Sequence, residues 1–151
     1  MTAAFIFAMV GVVSSVFRIF WGWLSDRIGR ETTFITGILC ACMGVGCLIL
    51  FESSGLKPFT YGFFLLFGMG WGVTAPMFMS TSADLFKGRI FGLIYGFVEA
   101  GIGAAGAIGA WGAGLIFDQT QSYRYAFLLA IFLLLLSTAF IWLAAPRKFR
   151  R

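Results

Sequence analysis

The sequence predicts an all-α, polytopic membrane protein, a helix bundle with five transmembrane helices. Of its 151 residues, 60% are hydrophobic and only 11% are charged, whereas about a quarter of the residues in an ordinary soluble domain are charged. A chain in lipid must satisfy its own backbone hydrogen bonds, so its spans are helices or a closed barrel. The apolar runs here are longer than barrel strands and do not alternate with polar residues, which favours helices.

Five apolar segments are long enough to cross a hydrocarbon core of ~30 Å, which takes about 20 helical residues. We expect helices at residues 2–20, 32–51, 59–79, 90–117 and 125–145, within a single membrane domain over residues 1–151. A charged loop at 22–31 separates the first two, and a basic tail follows at 146–151. Arg18 lies close to the predicted end of the first helix, where its long side chain can reach the headgroups.

The third segment contains Pro76 in its second half. Proline has no amide hydrogen to donate, and its ring clashes with the carbonyl four residues earlier, which here belongs to Gly72. Two interpretations are open at this point: Pro76 either kinks the helix or ends it.

The fourth segment carries small residues at spacings of three and four, which places them on one face of a helix. Small faces let helix backbones approach closely in lipid, where the hydrophobic drive between helices is absent. The predicted helix-packing face consists of Gly92, Gly96, Ala100, Gly103 and Ala107.

Glu99 is the only acidic residue inside a predicted span. It lies about 15 Å along the helix axis from Arg89, close to the middle of the bilayer. A charge at that depth is costly and usually marks an ion, proton or substrate path. Tyr95, one turn earlier, can share the same cavity. Glu99 and Tyr95 are therefore candidates for substrate binding or proton coupling; the alternative is a hydrogen-bonded carboxyl with a packing role.

The basic residues predict how the bundle is oriented. Nine of the eleven Lys and Arg residues fall on one side of the predicted bundle, and only Lys57 and Arg124 fall on the other. Because cytoplasmic loops carry the excess of Lys and Arg, we expect the loop at 22–31 and the C-terminal tail to be cytoplasmic. The expected location is the plasma membrane, which in a bacterium is the inner membrane.

The composition argues against several other classes of function. The chain has no histidine, which excludes a histidine general base and a histidine-ligated metal. Its cysteines, Cys40, Cys42 and Cys47, lie in one apolar run without CxxC spacing, where cysteine behaves as a small hydrophobe. The net charge of +5 comes from residues at the ends of apolar runs, not from a basic stripe of the kind that binds nucleic acid. We expect no enzyme, no cofactor, no metal and no nucleic-acid partner.

The loop at 22–31 reads GWLSDRIGRE. It resembles the cytoplasmic loop signature of the major facilitator superfamily, G-x-L-x-D-[RK]-x-G-R-[RK]. The matching residues are Gly22, Leu24, Asp26, Arg27, Gly29 and Arg30. Glu31 departs from the pattern, which has a second basic residue there. The resemblance implies a conformational gate, in which Asp26 meets a helix N-terminus of the opposite bundle in one state and leaves it in the other.

Two later passages extend the resemblance over nearly the whole chain. ADLFKGRIFGLIYG at 83–96 and GLIFDQTQSYRYAF at 114–127 are similar to the tenth-to-twelfth-helix region of monocarboxylate-porter-like and other organic-acid members of the superfamily. The resemblance implies that the five spans are helices eight to twelve of a two-bundle fold. On that mapping the chain is an incomplete C-terminal half, and its N-terminal bundle is missing.

The resemblance implies secondary active transport of a small solute by alternating access, with a monocarboxylate or other organic acid as the substrate class. A symporter or antiporter is expected, because the chain has no GxxxxGK[ST] loop for ATP. A proton is the candidate co-transported ion. The alternative is a truncated, non-transporting membrane protein that acts through helix–helix association. One difficulty stands: organic-acid carriers need positive charge at their site, and only Arg18, near one end, lies within a predicted span. Either the cation that binds the anion lies in the missing bundle, or the substrate is not an anion.

Overall fold

A computed structural model describes residues 3–85 and 90–144, and all regular secondary structure in these two ranges is helical. The helices are α1 (Ala3–Ile28), α2 (Arg30–Ser54), α3 (Pro58–Trp71), α4 (Thr74–Leu85), α5 (Phe91–Thr120) and α6 (Arg124–Ala144). Because α3 and α4 form one span, five segments of the described chain are long and apolar enough to cross a membrane. The predicted all-α fold with five membrane helices is confirmed. The predicted tail at 146–151 lies outside the described residues.

The turn between the first two helices is much shorter than the loop predicted at 22–31. α1 continues to Ile28 and α2 begins at Arg30, so only Gly29 is non-helical. Gly29 has φ of 93°, a conformation that glycine adopts readily and residues with a Cβ rarely adopt. The predicted loop at 22–31 was too long, because the prediction assumed that α1 ends where the polar residues begin. Leu and Arg are good helix formers, and a helix persists through them after it leaves the lipid.

The extension of α1 places Arg18 well inside the helix. Ten residues separate it from Ile28, which is about 15 Å along the axis at 1.5 Å per residue. The expectation that Arg18 lies close to the end of its helix was therefore wrong. Its side chain is exposed on the surface of the described bundle.

The centre of the bundle is formed by α1, α2 and α3, with α6 packed against α2. The buried cluster consists of Trp21, Phe34, Ile38, Val73 and Met77. Leu134 and Ile141 of α6 cover it from one side. The first two of these buried residues lie within two turns of Gly29, so the best-packed part of the molecule adjoins the α1–α2 turn.

Close backbone contacts hold α3 against its neighbours. A Cβ atom added to Gly70 would lie 2.4 Å from both the amide nitrogen of Ala41 and the carbonyl oxygen of Gly37. One added to Gly68 would lie 2.9 Å from the Cβ of Val13 on α1. These distances are shorter than real Cβ atoms allow, so α3 can approach α1 and α2 this closely only because both positions are glycine.

The helix α5 lies at the edge of the described bundle. It has no buried residue, and a Cβ added to Gly92, Gly96 or Gly103 would meet nothing within 4 Å. Ala100 and Ala107 are exposed as well. Within residues 3–85 and 90–144, the small-residue face of α5 made of these five positions packs against no other helix. Its packing role remains a prediction about a partner beyond these residues.

The third span is interrupted between α3 and α4. The amide of Gly72 donates to the carbonyl of Gly68 at 3.1 Å, in the α-helical pattern. The amide of Val73 instead donates to the carbonyl of Gly70 at 3.2 Å, which is one residue closer in sequence. The chain therefore tightens into a 3₁₀ turn at this point.

Pro76 lies in the first turn of α4, one turn after Gly72. A helix that ends at Pro76 is excluded, because α4 continues to Leu85. Proline is tolerated in a first helical turn, where its missing amide has no intrahelical partner to lose. It remains a prediction that Pro76 causes the interruption. The break lies one turn before Pro76, which supports this prediction.

A side-chain hydrogen bond identifies the opposite end of the bundle. The Ser122 hydroxyl, in the turn between α5 and α6, donates to Oε1 of Glu52 near the end of α2 at 2.6 Å. The α2–α3 and α5–α6 turns therefore lie together, at the end of the bundle away from Gly29. This agrees with the alternation of turns that five consecutive spans require.

Candidate functional site

The end of α1 carries the residues that match the loop signature. Asp26 and Arg27 are exposed, whereas Arg30 at the start of α2 is half-buried. The Arg27 guanidinium lies 4.2 Å from the centre of the Trp23 ring, a distance typical of a cation–π contact. Leu24 packs against the buried cluster. One face of this helical end is therefore held by the core, and the exposed face presents the carboxylate of Asp26.

Hydrogen bonds set the geometry of the turn at Gly29. Its amide donates to the carbonyl of Ser25 at 3.1 Å. Its carbonyl accepts the amide of Thr33 at 3.2 Å and the Thr33 hydroxyl at 2.8 Å. Gly22, by contrast, lies in the interior of α1 and plays no part in the reversal of the chain.

Glu31 stands in the first turn of α2. The partial positive charge of a helix N-terminus favours an acidic side chain in that turn. This supplies a physical reason for glutamate at the position where the signature has a second basic residue.

The pair predicted on the fourth span comes together in the structure. Tyr95 and Glu99 lie one turn apart on the same face of α5. The ring of Tyr95 stacks on that of Phe91, with ring centres 5.9 Å apart. Glu99 is exposed in the described bundle. It follows Phe91, the first residue of α5, by eight residues, or about 12 Å along the axis.

Arg18 lies farther from the end of its helix than the sequence predicts, which makes it a further functional candidate. It lies about 15 Å from the Gly29 end of α1, and Glu99 lies about 12 Å from the same end of the bundle along α5. Two ionisable side chains of opposite sign thus lie at similar distances from the Gly29 end of the bundle, each within a helix of membrane-spanning length. The overlooked signal was the helix-forming run through Leu24, which lengthens α1 and moves its end away from Arg18.

Other concave or acidic features of the described chain offer little for chemistry. A cavity of about 160 Å³ lies at the end opposite Gly29, and its lining residues are Ile49, Glu52, Ser53, Ser122 and Arg124. An apolar groove lies between α1, α2 and α3 near the same end. Among residues 3–85 and 90–144, no three His, Cys, Asp or Glu side chains lie close enough to hold a metal ion.

Five helices of membrane-spanning length, two of them with ionisable groups in their interior, define a polytopic membrane protein. The whole chain, residues 1–151, matches the Major Facilitator Superfamily, and the protein belongs to that family. Over 108 residues, or 68% of this chain, it is 27% identical to YcxA, an uncharacterized MFS-type transporter of Bacillus subtilis strain 168. The aligned region covers 26% of that relative, so the chain spans about a quarter of its length. No solved structure matches the chain.

The family match confirms the predicted class. The protein is an integral membrane protein of a transporter family, with helices that are long and apolar enough to cross a lipid bilayer.

Proposed function

We propose that this protein moves a small organic anion, such as a monocarboxylate, across the plasma membrane by alternating access, together with a proton. The observation that carries the proposal is the pair Arg18 and Glu99, two opposite charges at similar distances from the Gly29 end of the bundle. A charge inside a membrane protein normally faces a cavity or a counter-ion, because lipid contact is costly. The membership of the family supports transport in general.

Arg18 supplies the positive charge that an organic-acid carrier needs. A guanidinium presents donors in a planar fork that matches a carboxylate, and the bidentate pair is strong where water is scarce. The position of Arg18 inside α1, rather than at its end, removes the difficulty of a substrate anion without a cation.

Glu99 is the candidate carrier of the co-transported proton. A carboxyl can take up a proton on one side of the membrane and release it on the other when its exposure alternates. Tyr95 lies one turn earlier on the same face of α5, where its hydroxyl can hydrogen-bond to the carboxyl during the cycle. Binding of a cationic group by Glu99 is the other role of the same site, and the pH dependence of uptake separates the two.

The rest of the transporter is proposed to come from sequence beyond these residues. In the two-bundle fold, substrate binds between two six-helix bundles near the middle of the membrane. The chain spans about a quarter of the length of its relative, and the small-residue face of α5 packs against no described helix. The N-terminal bundle of the same transporter fits that face. On this proposal the Gly29 turn is cytoplasmic, because eight of the eleven basic residues, not counting Arg18, are predicted on its side by the sequence.

The open face of α5 also favours a second candidate, a non-transporting membrane protein that associates with other helices. Reading the genomic DNA upstream of the codon for Met1 distinguishes the two. An open frame that encodes further spans supports the transporter, and a stop codon directly upstream supports the second candidate.

Arg18→Gln is expected to reduce uptake of the transported anion by about a hundredfold, because it removes a charge-assisted, bidentate contact worth about 3 kcal/mol. Arg18→Lys keeps the charge but not the fork, and a loss of about tenfold is expected. Uptake of radiolabelled mono- and dicarboxylates into proteoliposomes that contain the full-length protein measures both effects. Arg124→Gln, at the opposite end of the bundle, is the matched control and should transport normally. Normal anion uptake by Arg18→Gln would contradict the proposal.

Asp26→Asn tests the proposed gate. A carboxylate at a helix N-terminus is worth about 1–2 kcal/mol in a partly buried contact, so its loss should change the equilibrium between open and closed states by about tenfold. We expect slower net uptake and faster labelling of a cysteine introduced on the cytoplasmic side of the cavity. Asp118→Asn, an exposed position near the end of α5, serves as control. If the two variants behave alike, Asp26 has no gating role.

A further inference from the structure

The interruption of the third span leaves one backbone carbonyl for another donor. In a continuous α-helix the amide of Val73 would donate to the carbonyl of Met69, but here it donates to Gly70. The carbonyl of Met69 instead accepts a hydrogen bond from the indole nitrogen of Trp21 on α1 at 2.7 Å. The Trp21 side chain is only 2% exposed.

This hydrogen bond satisfies a carbonyl that has lost its helical donor. Met69 is half-buried, and a carbonyl shielded from water is costly to leave without a donor, so the interruption is stabilised when another group satisfies the carbonyl that the helix releases. An indole has a single donor and no acceptor, so Trp21 has one hydrogen bond to make, and it makes that bond to the released carbonyl.

We propose that Trp21 is a positioning residue that selects the interrupted form of the third span, and that the Met69 carbonyl exchanges between Trp21 and Val73 during the transport cycle. In the interrupted form Trp21 donates to Met69 and Val73 donates to Gly70. In the continuous form Val73 donates to Met69, and the indole is released. Two discrete arrangements of the same backbone make a bistable element of the kind that conformational cycles use. The link to the cycle rests on the proposed transport function.

The surroundings of the break couple it to the gate. Trp21 immediately precedes Gly22, the first residue of the signature, and it lies on the same helix as Asp26. A Cβ added to Gly72 would lie 2.8 Å from the carbonyl oxygen of Ser14, so the backbone of α1 also touches the break directly. A displacement of the cytoplasmic end of α1 would therefore move the donor on which the interrupted form depends.

Trp23 provides the matched control. It is two residues away on the same helix, but its side chain is 51% exposed and contacts Arg27. Trp21→Phe removes the donor and keeps an aromatic ring, whereas Trp23→Phe makes the same chemical change without touching Met69. Replacing Trp21 with β-(3-benzothienyl)-alanine removes only the N–H and keeps the shape of the indole, so it tests the donor even if Trp21→Phe fails to fold.

The length of the third span reports the two forms directly. Spin labels on Leu65→Cys and Met79→Cys, both exposed positions, can be placed in the full-length protein after Cys40, Cys42, Cys47 and every cysteine beyond these residues are replaced by alanine. A continuous helix separates the labelled positions by about 21 Å along the axis. Because a 3₁₀ turn differs from an α-helix in rise and direction, double electron–electron resonance should give a changed distance for both Trp21 variants and an unchanged distance for Trp23→Phe, each relative to the parent protein. Uptake should fall by about fivefold, the weight of one neutral hydrogen bond.

An unchanged distance in the benzothienyl variant overturns the proposal. A changed distance with unchanged uptake overturns the role of the exchange in the transport cycle. The distance is measured without any solute, so it does not depend on the identity of the substrate. A parent protein that takes up no organic anion contradicts the proposed function, and the distance comparison still decides whether Trp21 holds the break.

Discussion

Gly70→Ala is expected to prevent the bundle from packing, with a loss of at least about 3 kcal/mol in the free energy of unfolding, the upper part of the range for overpacked cores. The added Cβ would lie 2.4 Å from two backbone atoms of α2. Backbone atoms cannot rotate away as a side chain can, so α2 and α3 would have to separate. Denaturation of the full-length protein in detergent, followed by circular dichroism, measures the effect.

Gly46→Ala is the matched control for this prediction. It makes the same change on α2, but a Cβ at Gly46 meets nothing within 4 Å. Since alanine has the higher helix propensity by about 1 kcal/mol, this variant should be as stable as the parent or more so. Equal stability of Gly70→Ala and the parent would show that the α2–α3 contact is looser than the structure has it.

Gly103→Ala tests whether another part of the full-length protein packs against α5. No described atom lies within 4 Å of a Cβ at this position, so the described bundle tolerates it. If the N-terminal bundle packs on the small-residue face, the full-length protein should nevertheless lose stability and uptake. If Gly103→Ala matches the parent protein in stability and in uptake, the small-residue face contacts lipid rather than the N-terminal bundle.

Glu99→Gln is expected to abolish the stimulation of uptake by an inward proton gradient. Glutamine has nearly the shape of glutamate and can still hydrogen-bond to Tyr95, but it cannot carry a proton. Downhill exchange of the anion should survive, because Arg18 is intact. Uptake into proteoliposomes at a series of external pH values, with and without a pH gradient, separates the two activities.

Two variants sharpen the test of Glu99. Glu52→Gln changes a carboxylate at the end of α2 that accepts a hydrogen bond from Ser122, and it should leave the pH dependence intact. Tyr95→Phe keeps the carboxyl of Glu99 and removes the nearby hydroxyl, so the stimulation of uptake by the proton gradient should weaken without disappearing. If Glu99→Gln retains the pH dependence of the parent protein, Glu99 carries no proton in the cycle.

The positions of the spans could be predicted because they depend on local composition. Each predicted segment contains the apolar run of one observed span, and Pro58, which introduces the third, is the first residue of α3. The turn was predicted at the right place and with the wrong length. Polarity reports where a chain leaves lipid, whereas the end of a helix depends on backbone conformation, and here only Gly29 departs from it.

The choice of packing face could not be predicted in the same way. Small residues are spaced for close contact both in α5 and around Gly70, but a packing face was predicted only for α5. The structure brings Gly68 and Gly70 against α1 and α2, and it leaves the α5 face open. Spacing shows that a face permits close approach, but it does not show which helix approaches.

By itself, the sequence determined the membrane class, the number of spans and the family signature. All of these follow from residue types and short spacings along one chain, where the free energy of transfer to lipid is nearly a sum over residues. Only the tertiary structure decided how far α1 continues past Arg18, the tight glycine contacts of α3 and the hydrogen bond from Trp21 to Met69. That bond joins residues 48 positions apart, and it exists only because the third span breaks where α1 packs against it.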